Sequence, residues 1–131
     1  VRRYRQDCLF HPFHQRLTQL LDERQAAGVP PRVVGVHSFT PVYHGRPRPL
    51  VAGVLYRNAG AYARRILDGL RRHGLEVAGN QPYAIDPAED TTVPVHGDAR
   101  GLEAVLLEIR NDGLRTPDAV YAWAERLYPW L

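Results

Sequence analysis

Residues 33–36 read Val33-Val34-Gly35-Val36 and are followed directly by His37. The segment is short, β-branched and continuously apolar, which is typical of a strand buried on both faces of a sheet that helices cover. Val105-Leu106-Leu107-Glu108-Ile109 is a second strongly apolar run. Together the two runs predict an α/β fold, because strands without polar alternation need cover on both sides of their sheet.

The segments around these strands predict further helices and strands. Apolar residues recur at three- and four-residue spacings in 7–26 and 60–73, and Thr116-Pro117 is a typical helix start. Strands are predicted for 51–56, 75–77 and, at a sheet edge because it contains a proline, 91–95, with loops at 40–49 and 79–90. This pattern predicts a single three-layer α/β/α unit with a mixed, mostly parallel sheet.

The apolar residues of each predicted helix are expected to form one stripe. The predicted stripes are Leu9, Phe13, Leu17, Leu20 and Leu21 in the first helix, Tyr62, Ile66, Leu67 and Leu70 in the second, and Val120, Trp123, Ala124 and Leu127 in the last.

The composition narrows the class of protein. The chain has 131 residues, a hydrophobic fraction of 44% and a net charge of +3, which indicate one globular domain and argue against a nucleic-acid partner. No apolar run reaches the length of about 18 residues that a membrane span requires, and the basic residues 1–5, with no apolar stretch behind them, are not expected to belong to a signal peptide. The single Cys8 cannot form an internal disulfide, so a cytoplasmic location is expected.

Two polar residues interrupt the strongest strands. His37 follows Val33–Val36, and Glu108 lies within the second apolar run. Catalytic groups of open α/β sheets gather beyond the carboxyl ends of strands, and a buried carboxylate needs a partner, a metal or a cleft. The pattern alone leaves two interpretations open: a catalytic pair, or a core histidine and a glutamate paired with an arginine.

Several motifs resemble those of the N-formylglutamate amidohydrolase family. In chain order they are His11-Pro12-Phe13-His14, His37-Ser38-Phe39-Thr40-Pro41, the stretch 45–56 (GRPRPLVAGVLY), Asn80-Gln81-Pro82-Tyr83, His96-Gly97-Asp98-Ala99-Arg100-Gly101 and Glu108-Ile109-Arg110-Asn111-Asp112. Each motif is short, but their common order along nearly the whole chain makes the resemblance specific.

The resemblance implies a fold like that of the zinc carboxypeptidases and a zinc-dependent amidohydrolase, incomplete at its N-terminus. It implies that His37 is a zinc ligand and that Glu108 is the catalytic base. The expected reaction is hydrolysis of an N-formyl or other N-acyl amino acid, foremost N-formylglutamate to formate and glutamate. A metallocarboxypeptidase- or aspartoacylase-like hydrolase and a non-catalytic fragment that keeps the fold are the alternatives.

Other residues are expected to bind the substrate. Tyr83 and Asn80 belong to the fourth of the family-like motifs, and Tyr83 is a candidate hydrogen-bond donor to the substrate or the oxyanion. Arg48 and Arg100 are candidates to bind a substrate carboxylate, because a guanidinium group matches its geometry. His96 is a candidate to reach the site from its loop. For each of these residues an ordinary structural or surface role remains an alternative.

The chain lacks the other two zinc ligands that the resemblance implies. Catalytic zinc sites usually have three protein ligands, and no HExxH motif occurs in the sequence. No methionine is present, position 1 included. We therefore expect the 131 residues to be the C-terminal portion of one amidohydrolase domain, with the other ligands supplied by a preceding segment or a second chain.

Overall fold

The computed structural model describes residues 1–131, except the side chain of Arg2. The chain forms two compact units, Val1–Pro31 and Arg32–Leu131.

The first unit is helical from Arg2 to Ala26. Helix α1 (Arg2–Arg5) continues through a π-helical turn, Gln6–Phe10, into helix α2 (His11–Ala26). The predicted helix over 7–26 is therefore confirmed, although it begins earlier. The predicted stripe is only partly buried: Leu21 is buried, whereas Leu9, Phe13 and Leu20 are exposed.

The second unit contains a four-stranded mixed sheet. Its strands are β1 (Val33–Phe39), β4 (Ala52–Leu55), β5 (Val77–Gly79) and β6 (Ala104–Arg110), in the order β1-β6-β4-β5. The β1–β6 and β4–β5 pairs are parallel, and the β4–β6 pair is antiparallel. The fold is thus α/β with a mixed, mostly parallel sheet of the three-layer α/β/α type, as predicted.

Helices α3 (Gly60–Arg72) and α4 (Pro117–Leu127) cover one face of this sheet. Alternate residues of β6, Val105, Leu107 and Ile109, pack with Ile66 of α3 and Trp123 of α4 in the main core. The predicted stripe of α3 is buried in full. In α4 only half of the prediction holds, because Trp123 and Leu127 are buried whereas Val120 and Ala124 are exposed.

A π-helical segment, Thr92–Gly97, lies against β1 and β6. In these contacts Thr92 lies near Gly35 of β1, and Gly97 lies against Ala104 of β6. Both contacted residues belong to the face of the sheet turned away from the main core. A short 3-10 turn, Asp98–Arg100, leads from it to β6. The predicted edge strand over 91–95 is therefore wrong: the segment covers a face of the sheet instead of extending its edge.

Three smaller predictions also need correction. The predicted loop 40–49 contains a hairpin of β2 (Val42–Tyr43) and β3 (Arg46–Pro47). The strand predicted at 75–77 lies two residues later along the chain, as β5 (Val77–Gly79). Strand β1 is the edge of the sheet and is not buried on both faces, since Val36 is 63% exposed.

The last residues of the chain pack back onto α3 and the start of β1. The ring of Trp130, in the 3-10 turn Tyr128–Trp130, lies where a side chain on Gly69 would otherwise be. Arg32 Nη1 donates a hydrogen bond of 2.9 Å to the carbonyl oxygen of Leu131, and Tyr62 donates another of 3.5 Å to the same atom. Among the helices of the described residues, none has the length and apolar character of a membrane span.

Candidate active site

The pairing of β1 with β6 brings His37 and Glu108 together. The two residues are register partners in parallel strands, so their side chains leave the sheet on the same face. His37 Nδ1 lies 3.7 Å from Glu108 Oε1. On the other side of β6, the register partner of Glu108 is Gly53 of β4. The predicted pair therefore occupies neighbouring positions near the carboxyl ends of adjacent strands.

The two partners differ in their access to solvent. The side chain of His37 is 58% exposed, whereas that of Glu108 is only 7% exposed. Among the described side chains and backbone groups, none forms a hydrogen bond with Glu108 Oε2. Burial raises the pKa of Glu108 above its ordinary value; the charges of His37 and Arg48 oppose this shift, and that of Asp90 adds to it. The site thus holds a proton-accepting group that is desolvated and incompletely paired.

A loop lies over the sheet beside Glu108. A Cβ atom on Gly53 would overlap the carbonyl oxygen of Gln81, so only glycine allows this close approach. Asn80 anchors the loop to the end of β4: its backbone N–H donates to Val54 O (3.0 Å), and its Oδ1 accepts from the N–H of Tyr56 (2.9 Å). In the structure, therefore, the side-chain oxygen of Asn80 binds a backbone N–H group, and the residue anchors the loop.

Arg48 extends from the segment between β3 and β4 into a group of aromatic rings. Its Nη1 donates a hydrogen bond of 2.9 Å to the hydroxyl oxygen of Tyr83. Its guanidinium carbon lies 5.5 Å from the ring centre of Phe39, 4.4 Å from that of Tyr43 and 5.1 Å from that of Tyr83. Cation–π contacts of this kind hold the guanidinium group in place, and its positive charge lowers the pKa of Glu108.

The other two candidates lie towards the opposite end of β6. Arg100 precedes Ala104, and His96 precedes Gly97, which contacts Ala104. At a rise of about 3.3 Å per residue, Ala104 is about 13 Å along the strand from Glu108. His96 is 1% exposed, so the alternative of a solvent-exposed histidine is wrong. The structure thus links Arg48 to Tyr83 and to the charge of Glu108, and it places the backbone beside His96 at the start of β6.

Several residues of the site were not predicted as functional from the sequence. Phe39 and Tyr43 flank Arg48, Asp90 acts on the charge of Glu108, and Arg110 and Asp112 bind each other at 2.8 Å beside the segment that carries Arg48. Arg110 and Asp112 belong to the family-like motif at 108–112, and this motif could have identified them from the sequence.

The exposed imidazole of His37 next to a buried carboxylate suits a metal ion, because a neutral imidazole is a common zinc ligand. Within the part of the chain that the structure describes, no group of three or more His, Cys, Asp and Glu residues has a geometry for holding a metal.

Comparison with known proteins identifies the family. The model of the N-formylglutamate amidohydrolase family matches residues 1–114. The chain therefore belongs to this family. No match is found among curated proteins.

The chain is also similar to a solved structure, the crystal structure of gene product Atu2144 from Agrobacterium tumefaciens. The TM-score is 0.86 and the sequence identity 39%, over 98% of this chain and 51% of that chain. This chain thus spans about half the length of that protein.

Proposed function

We propose that the protein hydrolyses the amide bond of an N-acyl amino acid, with N-formylglutamate as the expected substrate and formate and glutamate as the products. The observation that carries this proposal is the His37–Glu108 pair at 3.7 Å, in which the glutamate is buried and the histidine is open to solvent. Membership of the N-formylglutamate amidohydrolase family supports the choice of reaction.

Glu108 is the proposed general base and general acid. Its raised pKa brings it closer to neutral pH, where a group exchanges protons most effectively during turnover. The unpartnered Oε2 leaves an acceptor for the proton of the attacking water. The same carboxyl group then returns that proton to the leaving amine of the amino acid.

His37 is the proposed zinc ligand contributed by this chain. The side chain is exposed at the sheet edge, and its Nδ1 faces Glu108, so the ion and the base would act on the same water. When bound, zinc supplies Lewis-acid chemistry, which lowers the pKa of a coordinated water to about 7. We propose that two further ligands come from residues outside this chain or from a second chain.

Arg48 is the residue proposed to bind a substrate carboxylate. Its position among three aromatic rings, bound to Tyr83, favours it over Arg100, which lies towards the other end of β6. Tyr83 keeps Arg48 in place and is the proposed hydrogen-bond donor to the substrate. Asn80 contributes by holding the loop that carries Tyr83.

The test combines metal analysis with measurement of formate release on the intact protein, with any residues that flank this chain. Glu108→Gln is expected to keep bound zinc and to lower kcat by about 10²–10⁴-fold, the usual contribution of acid–base catalysis. His37→Ala is expected to lose zinc and activity together. His73→Ala, at an exposed histidine after α3, is the matched control and should behave as the unmodified protein.

Full activity of Glu108→Gln, or full zinc content of His37→Ala, would contradict the proposal. N-acetylaspartate and a peptide with a free C-terminus, assayed in parallel, separate the aspartoacylase-like and carboxypeptidase-like alternatives.

A further inference from the structure

The side chain of Arg110 binds the backbone of the segment that carries Arg48. Arg110 Nη1 donates to the carbonyl oxygens of Arg48 at 2.8 Å, Pro49 at 3.1 Å and Leu50 at 3.5 Å. The backbone N–H of Arg110 donates to the carbonyl oxygen of Val51 at 2.9 Å. One residue of β6 therefore contacts four successive carbonyl groups of a segment about sixty positions away in the sequence.

Asp112 fixes the orientation of this arginine. Its Oδ1 accepts a hydrogen bond of 2.8 Å from Arg110 Nε, which leaves Nη1 directed at the carbonyl oxygens. The Arg110 side chain is only 23% exposed, so these charge-assisted hydrogen bonds are partly shielded from water.

The segment between β3 and β4 has few other means of holding its shape. Pro47 and Pro49 cannot donate backbone hydrogen bonds, and Arg48 lies between them. The N–H of Arg48 donates to the carbonyl oxygen of Pro41 at 2.8 Å, and its own carbonyl oxygen accepts from Arg110. The backbone of Arg48 is thus held from both sides, and Arg110 supplies one of the two.

Glu108 and Arg110 lie two residues apart on β6 and therefore on the same face of the sheet. A single strand accordingly presents the catalytic carboxyl group and also holds the backbone from which the Arg48 guanidinium extends. A shift of about 1 Å in such a group is enough to reduce turnover or binding strongly.

We propose that Arg110, oriented by Asp112, is a positioning residue that sets the place of Arg48 relative to Glu108 and thereby selects substrates with a carboxylate. This inference rests on the proposed function, in which Arg48 reads that carboxylate. Arg110 itself contacts no substrate.

A double-mutant cycle on the intact protein tests the inference. Arg110→Gln is expected to raise KM for N-formylglutamate by about 10–100-fold, the range for loss of a charge-assisted hydrogen bond, and to leave kcat within about threefold. In the Arg48→Gln background, the same substitution should change KM no further. Arg110→Lys keeps the charge but not the guanidinium fork, so an intermediate KM is expected.

A parallel measurement makes the inference independent of turnover. Glutarate, a dicarboxylate without an amide bond, should bind more weakly to Arg110→Gln and to Arg48→Gln by similar factors, as measured by calorimetry. Arg71→Gln is the matched control, because it breaks an exposed Arg71–Asp68 pair of 2.9 Å on α3. Thermal unfolding of each variant reports whether the fold is kept.

An Arg110→Gln effect of equal size with and without Arg48 would overturn the inference, as would a fall in kcat at constant KM or unchanged glutarate binding. Absence of hydrolysis of every N-acyl amino acid by the unmodified protein would overturn the proposed function instead. Glutarate binding to the two single variants and to the Arg48→Gln/Arg110→Gln double variant would then still decide whether Arg110 acts through Arg48.

Discussion

The carboxyl group of Glu108 occupies a position in β6 whose neighbours along the strand, Leu107 and Ile109, are buried and apolar. A carboxylate in such surroundings costs free energy unless it is paired. Here Oε1 lies 3.7 Å from His37 Nδ1, and Oε2 accepts no hydrogen bond from the described residues. Costs of this kind are typical of catalytic groups, whose function depends on a shifted pKa. The local arrangement is what a general base requires.

The ion pair between Arg110 and Asp112 can be tested by measuring how stability depends on pH. The hydrogen bond from Arg110 is the largest cause that lowers the pKa of Asp112 below its ordinary value. Since the folded-state pKa is depressed, the carboxylate contributes stability above the unfolded-state pKa, and this contribution is lost as the pH falls through the lowered value.

Asp112→Asn should therefore reduce Tm slightly at neutral pH and leave it unchanged at a pH below the lowered pKa of Asp112, where the carboxyl group is protonated in both states. Thermal unfolding followed by circular dichroism at both pH values checks this. Asp68→Asn, which breaks the exposed Arg71–Asp68 pair on α3, serves as the control. An equal loss of stability by Asp112→Asn at both pH values would show that its effect is not electrostatic.

The sequence predicted the two central residues of the site because both interrupt apolar strands and lie in family-like motifs. The structure confirms that they adjoin, although their chemical roles remain proposals. The part of Arg110 could not be predicted in this way. Its partners are backbone carbonyl groups of residues 48–50, and hydrogen bonds across about sixty positions leave no local pattern of residue types.

At the scale of secondary structure, α4 begins as its sequence predicts. Thr116 is the N-cap, and its hydroxyl oxygen accepts a hydrogen bond of 3.2 Å from the N–H of Ala119. Pro117 follows in the first turn, where its missing N–H costs nothing. The helix positions Trp123 and Leu127 in the core beneath β6.

Thr116→Ala is expected to lower the free energy of unfolding by about 0.5–2 kcal/mol, the usual cost of removing such a cap. Thr91→Ala offers a control of the same chemistry, because Thr91 precedes the π-helical segment 92–97 without forming a side-chain cap. Urea titrations of the two variants measure the difference. Equal destabilisation by both substitutions would contradict the assignment of the cap.

The π-helical segment shows where local patterns fail. Thr92, Val93 and Val95 are β-branched and Pro94 is tolerated at a sheet edge, so the sequence favours a strand. In the structure Val93 and His96 are buried instead, and Gly97 contacts Ala104 of β6. Packing of the segment against a face of the sheet decides this conformation. The residue types of 92–97 alone do not reveal this packing, because the partner Ala104 lies outside the segment.

At the scale of the whole molecule, the edge strand β1 carries His37, the proposed zinc ligand. It pairs with β6 on one side, and Val36 beside His37 is 63% exposed. Exposed edges with apolar side chains invite pairing with another chain. The 131-residue chain is accordingly expected to associate weakly with itself and to be only marginally stable.

Val36→Lys should reduce this association, because a charged side chain blocks edge-to-edge pairing. Sedimentation at several protein concentrations measures the effect. Val120→Lys is the control, since Val120 is 49% exposed but lies on α4, away from the edge of the sheet. If both lysine variants reduced association equally, general surface charge and not the strand edge would be responsible.

The hydrogen bond between Arg32 and Leu131 has a consequence for how the second unit can be rebuilt. It shows that the first and last residues of this unit are neighbours in space. A short flexible linker joining them would permit circular permutation, with new termini opened in the exposed turn at 86–89. In such a permuted chain β6 would precede β1, yet the two strands would still pair. The contact between His37 and Glu108 is therefore expected to depend on the pairing of β1 with β6 and not on the order of the two strands along the chain.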